Sequence, residues 1–524
     1  IGLLLFTGIQ KILVSDANLA SQALAVPDLL HKEDINIDVL FLGPSHIANG
    51  VSPMQIYEST GIVSCNLGTG KQPVAASYYI LRDVSAKHDL KAVVLDASAL
   101  FYENGGDNTA WRDVLDNMEF GWAKLDFILD YGRWSEGSGL ATAAFPILQY
   151  HSRWNQLGKN DFYKGKDESF IISSGVLGKV VGTNVSLNEV EANEKQVHKG
   201  MKYTFSVDNG NEVIELKEES NLFPEVLSEN AMQYLLKTKL FCDEKGIKLI
   251  LSKIPSMTTY STMGGSWTAT KSEMVKEIAK QNNIVYVDGM YDYDVGINWL
   301  EDTGDYGAHL NIRGAVKASD WYANYLANSQ QINAQNNSFF DEQLAKYQKL
   351  RIVAMLQSEQ NFEVYLQRLL NGKSERVILM TVCYDGVGGV TDSDYQMFDR
   401  MDQTLIRNAK GGDSYIAVID AGQLKYEAVS DESISYTSEI DGCDLYICSS
   451  GAVEHPDASI SIDGTEYAIG SSGLNIVVYD KNTQMVIDSV SFHTYTSGKE
   501  AERNYGLEEA FLTKYRQRLQ DEAY

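Results

Sequence analysis

Four short apolar runs, spaced among segments of helical periodicity, constrain this chain more than any other feature: VLFL (39–42), KAVVLD (91–96), KLILS (248–252) and IVYVD (284–288). A continuous apolar run cannot keep one face wet, so each reads as a strand covered on both sides. Helical spacing over residues 73–86, 231–245, 271–281 and 315–326 supplies the covering layers. Strands alternating with helices predict an α/β domain built on a parallel sheet. Ligands bind such sheets at the carboxyl ends of the strands. At that end the first run continues as GPSH, a turn from strand into helix.

At 524 residues the chain exceeds the roughly 250 to 300 residues that one hydrophobic core usually serves. The sequence predicts an apolar segment at 1–14, a polar spacer at 15–34, and the α/β domain over 35–327. An insert at 101–223, rich in Trp, Tyr and Gly, is expected to form a cap over the sheet's end. A helical linker follows at 328–374. From 375 to 496 short β-rich runs separated by Gly and Asp turns predict a second, α+β and mostly β domain, closed by a helical tail at 497–524. Residues 1–14 (IGLLLFTGIQKILV) are shorter than the roughly 20 residues a spanning helix needs, and are expected to be the outer end of a membrane anchor.

The formal charge of −27, with no basic run as a local exception, argues against a nucleic-acid partner, whose phosphates must be met by Lys and Arg. Five Cys, at 65, 242, 383, 443 and 448, are too scattered for a disulfide framework; a bridge among the last three stays open. No HExxH or CxxC spacing is present, so no metal and no cofactor are expected.

A serine nucleophile needs an exposed hydroxyl on a tight turn, a histidine in hydrogen-bond reach, a group that orients the histidine, and N–H donors for the oxyanion. Ser45, in FLGPSH, stands where the first strand gives way to a helix N-terminus. His309, in DTGDYGAHLN, lies before the last helix of the domain and returns to the same sheet edge. Asp305 and Asp302, four and seven residues earlier, are the candidates to orient it. Gly68 in NLGTGKQP is a backbone donor candidate for the oxyanion, with Gln72 or Ser98 as side-chain substitutes. His46 beside the nucleophile is a substrate contact or a local turn residue. In YHSRW (150–154), His151 and Arg153 beside aromatics suit a sugar or an anionic group.

The pattern FLGPSH, NLG, DTGDYGAHLN resembles the SGNH/GDSL hydrolase superfamily, in its cell-envelope branch of teichoic-acid D-alanyl transfer proteins and polysaccharide O-acetyltransferases. The resemblance covers residues 35–326. It implies a three-layer, flavodoxin-like fold with Ser45 as nucleophile, His309 as base and Gly68 as oxyanion glycine. Two positions depart from the superfamily: Tyr306 stands where its Asp usually precedes the His by three, and LDASALF lacks the GxND block. The resemblance further implies an extracellular glycan as partner, a polysaccharide or teichoic-acid-like polymer, and a membrane-bound O-acyltransferase as donor. It places the chain on the outer face of a bacterial membrane, Gram-positive in type. The activity implied is acyl transfer; the same residues serve a carbohydrate esterase, and a non-catalytic envelope scaffold is the reading from another class.

Residues 461–495, with GLNIVVYD and VIDSVSFHTY, resemble the interleukin-like EMT inducer (GG) domain. RVILMTVCYDGVGGVTDSDYQMF, which precedes them here, is similar to a later part of that domain, so the order looks circularly permuted. His493 replaces an Asp of the FDTY ending. The resemblance implies carbohydrate or protein binding.

Overall fold

Each apolar run is extended and the segments between them are helical, in a computed structural model that describes residues 35–102, 109–134, 139–152, 227–256, 267–304, 307–451, 455–503 and 514. The chain divides into two units, Ile1–Tyr347 and Gln348–Tyr524.

In the first unit β1 (Val39–Leu42), β2 (Ser64–Asn66), β3 (Ala92–Asp96), β4 (Lys248–Lys253) and β5 (Val285–Asp288) form one parallel sheet in the order β2-β1-β3-β4-β5. The strand order reverses at β1, which pairs with β2 on one side and β3 on the other. In doubly wound sheets the loops leaving such a reversal part from each other, and the space between them is the usual ligand position. Helices α1 (Ser45–Gly50) and α2 (Pro53–Thr60) follow β1, and α3 (Val74–Val84) follows β2. Then come α4 (Thr109–Asn117), α5 (Trp122–Trp134), α6 (Gly139–Ala144), α7 (Pro146–Tyr150), α8 (Glu229–Lys245), α9 (Ala269–Gln281) and α10 (Ile312–Asn324). Two-residue strands β6 (Thr303–Gly304) and β7 (His309–Leu310) pair just before α10.

Side chains alternate across a strand, so Val39, Phe41, Val94 and Ile250 share one face of the sheet. They pack with Ile47, Ile56, Ala318 and Tyr322 of α1, α2 and α10, and Phe41 meets Tyr322 edge-to-face at 5.6 Å. Full burial of each such side chain is worth about 1.5–3 kcal/mol. This shared core fixes the start of α1 against the loop before α10.

Helices α4 to α7 are regular, and α5 lies along α3: Tyr79 stacks on Phe127 at 4.4 Å, and Asp130 accepts hydrogen bonds from Tyr79 and from Tyr234 of α8. The rest of the insert, residues 103–108, 135–138 and 153–223, and the expected anchor at 1–14 lie outside the described residues. Among the described residues no helix is long and apolar enough to cross a membrane.

The second unit opens with the end of helix α11 (Ser338–Gln357) and with α12 (Phe362–Asn371). These residues, expected to be linker, pack as core. Phe362 and Tyr365 lie 5.0 Å from Phe492, and the Gln357 side chain donates to the Ile487 carbonyl. The β-rich part is one ten-stranded sheet. Its strands are β8 (Arg376–Cys383), β9 (Ser414–Asp420), β10 (Gln423–Ser430), β11 (Ile434–Ile440), β12 (Cys443–Ser450), β13 (Asp457–Ile462), β14 (Thr465–Glu466), β15 (Gly473–Asp480), β16 (Met485–Phe492) and β17 (Ala501–Arg503), with helix α13 (Asp392–Asp399) after β8. Strand β8, buried along its whole length, pairs with β9, β15 and the end of β12. The tail expected to be helical begins as β17. Its Arg503 forms a fully buried ion pair with Asp488 at 2.6 Å, beside the Tyr365 hydroxyl. All five cysteines are free, so no bridge joins Cys383, Cys443 and Cys448.

Candidate active site

Gly43 ends β1 with φ +141°, a conformation that L side chains rarely adopt, and a Cβ there would stand 2.7 Å from the Asp96 Cβ. The chain therefore turns sharply at Gly43, and Pro44 starts α1 with Ser45 in its first turn. The N–H groups of Ile47 and Ala48 bond the Pro44 carbonyl, whereas those of Ser45 and His46 precede any acceptor within the helix. Asn66, at the end of β2, holds the other end of α1: its amide donates to the carbonyls of Ile47 and Val51, both at 2.8 Å.

The histidine arrives from the far end of the unit. Asn311 caps α10 by accepting from the N–H groups of Arg313 and Gly314, and its amide donates to the carbonyls of Glu301 and Thr303. Gly304 pairs with His309 across β6 and β7, which closes the loop into a short hairpin. Helix α10 is tied in turn to α2, through Ser52 N–H to Ser319 Oγ at 2.8 Å and Gln55 to Asp320 at 2.9 Å. Ser45 Oγ and His309 Nε2 consequently lie 2.8 Å apart, although 264 residues separate them in sequence.

The other expected residues divide. Asp302 is fully buried but does not orient His309: its carboxylate accepts from Asn298 N–H at 2.8 Å and pairs with Lys317, with Arg313 at 3.7 Å. A carboxylate so engaged anchors the loop instead. Asp305 lies outside the described residues, as does Arg153. The Gly68 amide, expected in the oxyanion hole, donates to Asn66 Oδ1 at 3.0 Å. The absence of a side chain at Gly68 has a packing reason, since a Cβ would stand 2.9 Å from the Ala48 nitrogen and 3.1 Å from the Gly43 carbonyl oxygen. Gln72 is buried and donates to Ser77 Oγ at 2.8 Å. Ser98 is buried after β3, with its N–H on Asp96. His151 is exposed at the end of α7 and bonds the Leu148 carbonyl.

His46 is buried, its ring centroid 5.5 Å from that of His309. Burial, then the charges of Lys253 and His309, hold its imidazole well below the ordinary histidine range, against the opposing pull of a bond to the Ala308 carbonyl. His46 is thus neutral at neutral pH and braces α1 against the His309 loop.

Sequence reading stopped one residue short of Lys253, which ends β4 fully buried. Its ammonium lies 5.6 Å from the Trp267 ring centroid and has no hydrogen-bond partner among the described residues. Burial lowers its pKa, while Asp96 and Asp288 at the ends of the flanking strands oppose that shift. Both carboxylates are satisfied by other donors. Asp96 accepts from the N–H groups of Ser98 and Ile254, and Asp288 from those of Met290 and Tyr291 and from Trp267, Ser272 and Tyr286.

A serine hydroxyl in contact with an imidazole nitrogen can lose its proton as it attacks an electrophilic carbon. The buried thiols are poor rivals, because burial pushes both Cys65 and Cys242 up to about 12. Among the described residues no three His, Cys, Asp or Glu side chains gather as a metal set. Compared with known proteins, the chain matches no family model and no curated sequence.

Proposed function

We propose that the N-terminal unit is an SGNH-type serine acyltransferase that transfers an acyl group, acetyl in the simplest case, to a hydroxyl of an exported or envelope polysaccharide. The observation that carries this reading is the 2.8 Å contact between Ser45 Oγ and His309 Nε2 at the crevice beside β1. The strand order β2-β1-β3-β4-β5 is compatible with the three-layer fold of that superfamily. In the first half-reaction Ser45 Oγ attacks the acyl carbon as its proton moves to Nε2. The leaving group departs with that proton, and Ser45 carries the acyl ester. In the second, Nε2 takes the proton of the acceptor hydroxyl, the acceptor oxygen attacks the ester, and the proton returns to Oγ. With water as acceptor the same residues make an esterase.

In this reading the donor is a membrane-bound O-acyltransferase, the chain sits on the outer face of a bacterial membrane through its N-terminal segment, and the C-terminal unit is a carbohydrate- or protein-binding module similar to the interleukin-like EMT inducer domain. Reaction with a fluorophosphonate probe tests the nucleophile. Wild type is expected to label at Ser45, and Ser45→Ala and His309→Ala to fall by about 10³-fold or more in labelling and in acyl-ester turnover. Equal rates in wild type and Ser45→Ala would reject it. Partition of a labelled acyl group between water and added oligosaccharide separates esterase from transferase. The occupied amide of Gly68 favours a second reading, a non-catalytic glycan-binding scaffold, for which wild type itself stays unlabelled.

A further inference from the structure

Six buried side-chain atoms that have no hydrogen-bond partner among the described residues stand at or just after the carboxyl ends of four neighbouring strands. They are His46 Nδ1 after β1, Thr69 Oγ1 and Gln72 Oε1 after β2, Ser98 Oγ after β3, and Lys253 Nζ and Ser256 Oγ at and after β4. Buried polar atoms are almost always bonded, because an unmade bond forfeits the water that the group gave up on folding. A row of them along one sheet edge, the edge that carries Ser45, marks groups that something other than the protein completes.

Lys253 is the extreme case, since a charged group suffers most from burial. A merely structural ammonium would hydrogen-bond the carboxylates that flank it. Asp96 and Asp288 instead take their hydrogen bonds from backbone and neighbouring side chains, and Lys253 receives only their long-range attraction. Among the described residues no group accepts from its three N–H groups. The chain as a whole, at −27, repels anions, so a buried cation creates a local attraction that a solvated surface would not offer.

We propose that Lys253 binds a negatively charged group of the substrate, a carboxylate or a phosphate, and so selects anionic substrates for the Ser45 crevice. The inference rests on the reading of that crevice as the substrate site, but not on the chemistry of Ser45.

Thermal unfolding of the full chain in acetate or inorganic phosphate, against chloride at matched ionic strength, tests it. For wild type at saturating anion a rise in Tm of about 3 °C is expected, levelling off as the site fills. Phosphate also stabilises folded proteins generally, without saturation. Lys253→Met, which replaces the ammonium with an apolar side chain of similar length, is expected to keep only that general effect. A saturable response to phosphate alone assigns the group as a phosphate, and one to acetate alone as a carboxylate. A wild type with no saturable response, or a Lys253→Met variant that retains it, overturns the proposal. Should Lys253→Met not fold, Lys253→Gln takes its place. Ser45→Ala separates the two readings: it should lose fluorophosphonate labelling yet keep the anion response. Failure of labelling in wild type then rejects only the nucleophile, and failure of the anion response only the role of Lys253.

Discussion

His46 shows how one buried side chain couples pH to the integrity of the site. Its imidazole is held well below 6.5 by burial, with Lys253 and His309 facing it as positive or potentially positive neighbours and the Ala308 carbonyl as its one opposing contact. Unfolded, it takes up a proton as the pH falls through about 6.5; folded, it does not. The unfolded state therefore binds more protons in that window, and stability is lost as the pH drops from about 6.5 toward the lowered folded value. His46→Gln is expected to flatten the decline of Tm below about pH 6.5. Identical slopes in the two proteins would show that His46 has no part in it. At this scale the pairing of Ser45 with His309 was legible in the sequence, because each stands where a loop meets a helix or strand that fixes it. It did not reveal Lys253, since a lysine at the end of an apolar run reads as the first solvated residue. Nor did it separate the acids, because the spacing of Asp302 from His309 carries no information about Lys317, the partner that claims Asp302.

Among elements, the turn between β1 and α1 does most to place Ser45. Gly43 has a positive φ, and a methyl group there would collide with Asp96 at the end of β3. Gly43→Ala is expected to strain this turn and to lower stability by about 1–3 kcal/mol. Fluorophosphonate labelling should fall with it, more than the change in stability alone predicts, as Ser45 moves from His309. Unchanged labelling with a lowered Tm would mean that the turn is not what aims Ser45. Strands β1, β3 and β4 were legible because continuous apolar runs are rare outside covered sheets, whereas β5, read in the same way as covered on both sides, leaves Val285 exposed. In the second unit ISYTSEI and CDLYICSS, within the stretch expected to be β-rich, form β11 and β12, whose alternating polar and apolar residues keep one face exposed. The turn between them was a usable signal. Asp441–Gly442 has positive φ at both positions, as do Ala421–Gly422 and Asp463–Gly464, the backbone that tight hairpins require.

For the molecule as a whole, two units with separate cores imply separable stabilities. The Arg503–Asp488 pair is fully buried in the second unit, with the Tyr365 hydroxyl as a third partner. Asp488→Ala leaves the guanidinium without its counter-ion and is expected to cost about 3–5 kcal/mol. Calorimetry should show one transition moved down, while the rate of Ser45 labelling persists. A single transition that moves as one, with labelling lost, would show that the two units unfold together. The division into an α/β unit and a β-rich unit followed from texture alone, whereas the segment read as a linker could not be placed, because an apolar helical stripe does not say which core it serves. The 264 residues between Ser45 and His309 also set a clock on the nascent chain. At about 5 to 20 residues per second a ribosome needs on the order of ten to fifty seconds to deliver the second partner after the first. Throughout that interval the hydroxyl is an ordinary alcohol, so any chemistry that needs the Ser45–His309 pair waits until the N-terminal unit has been synthesised almost to its end.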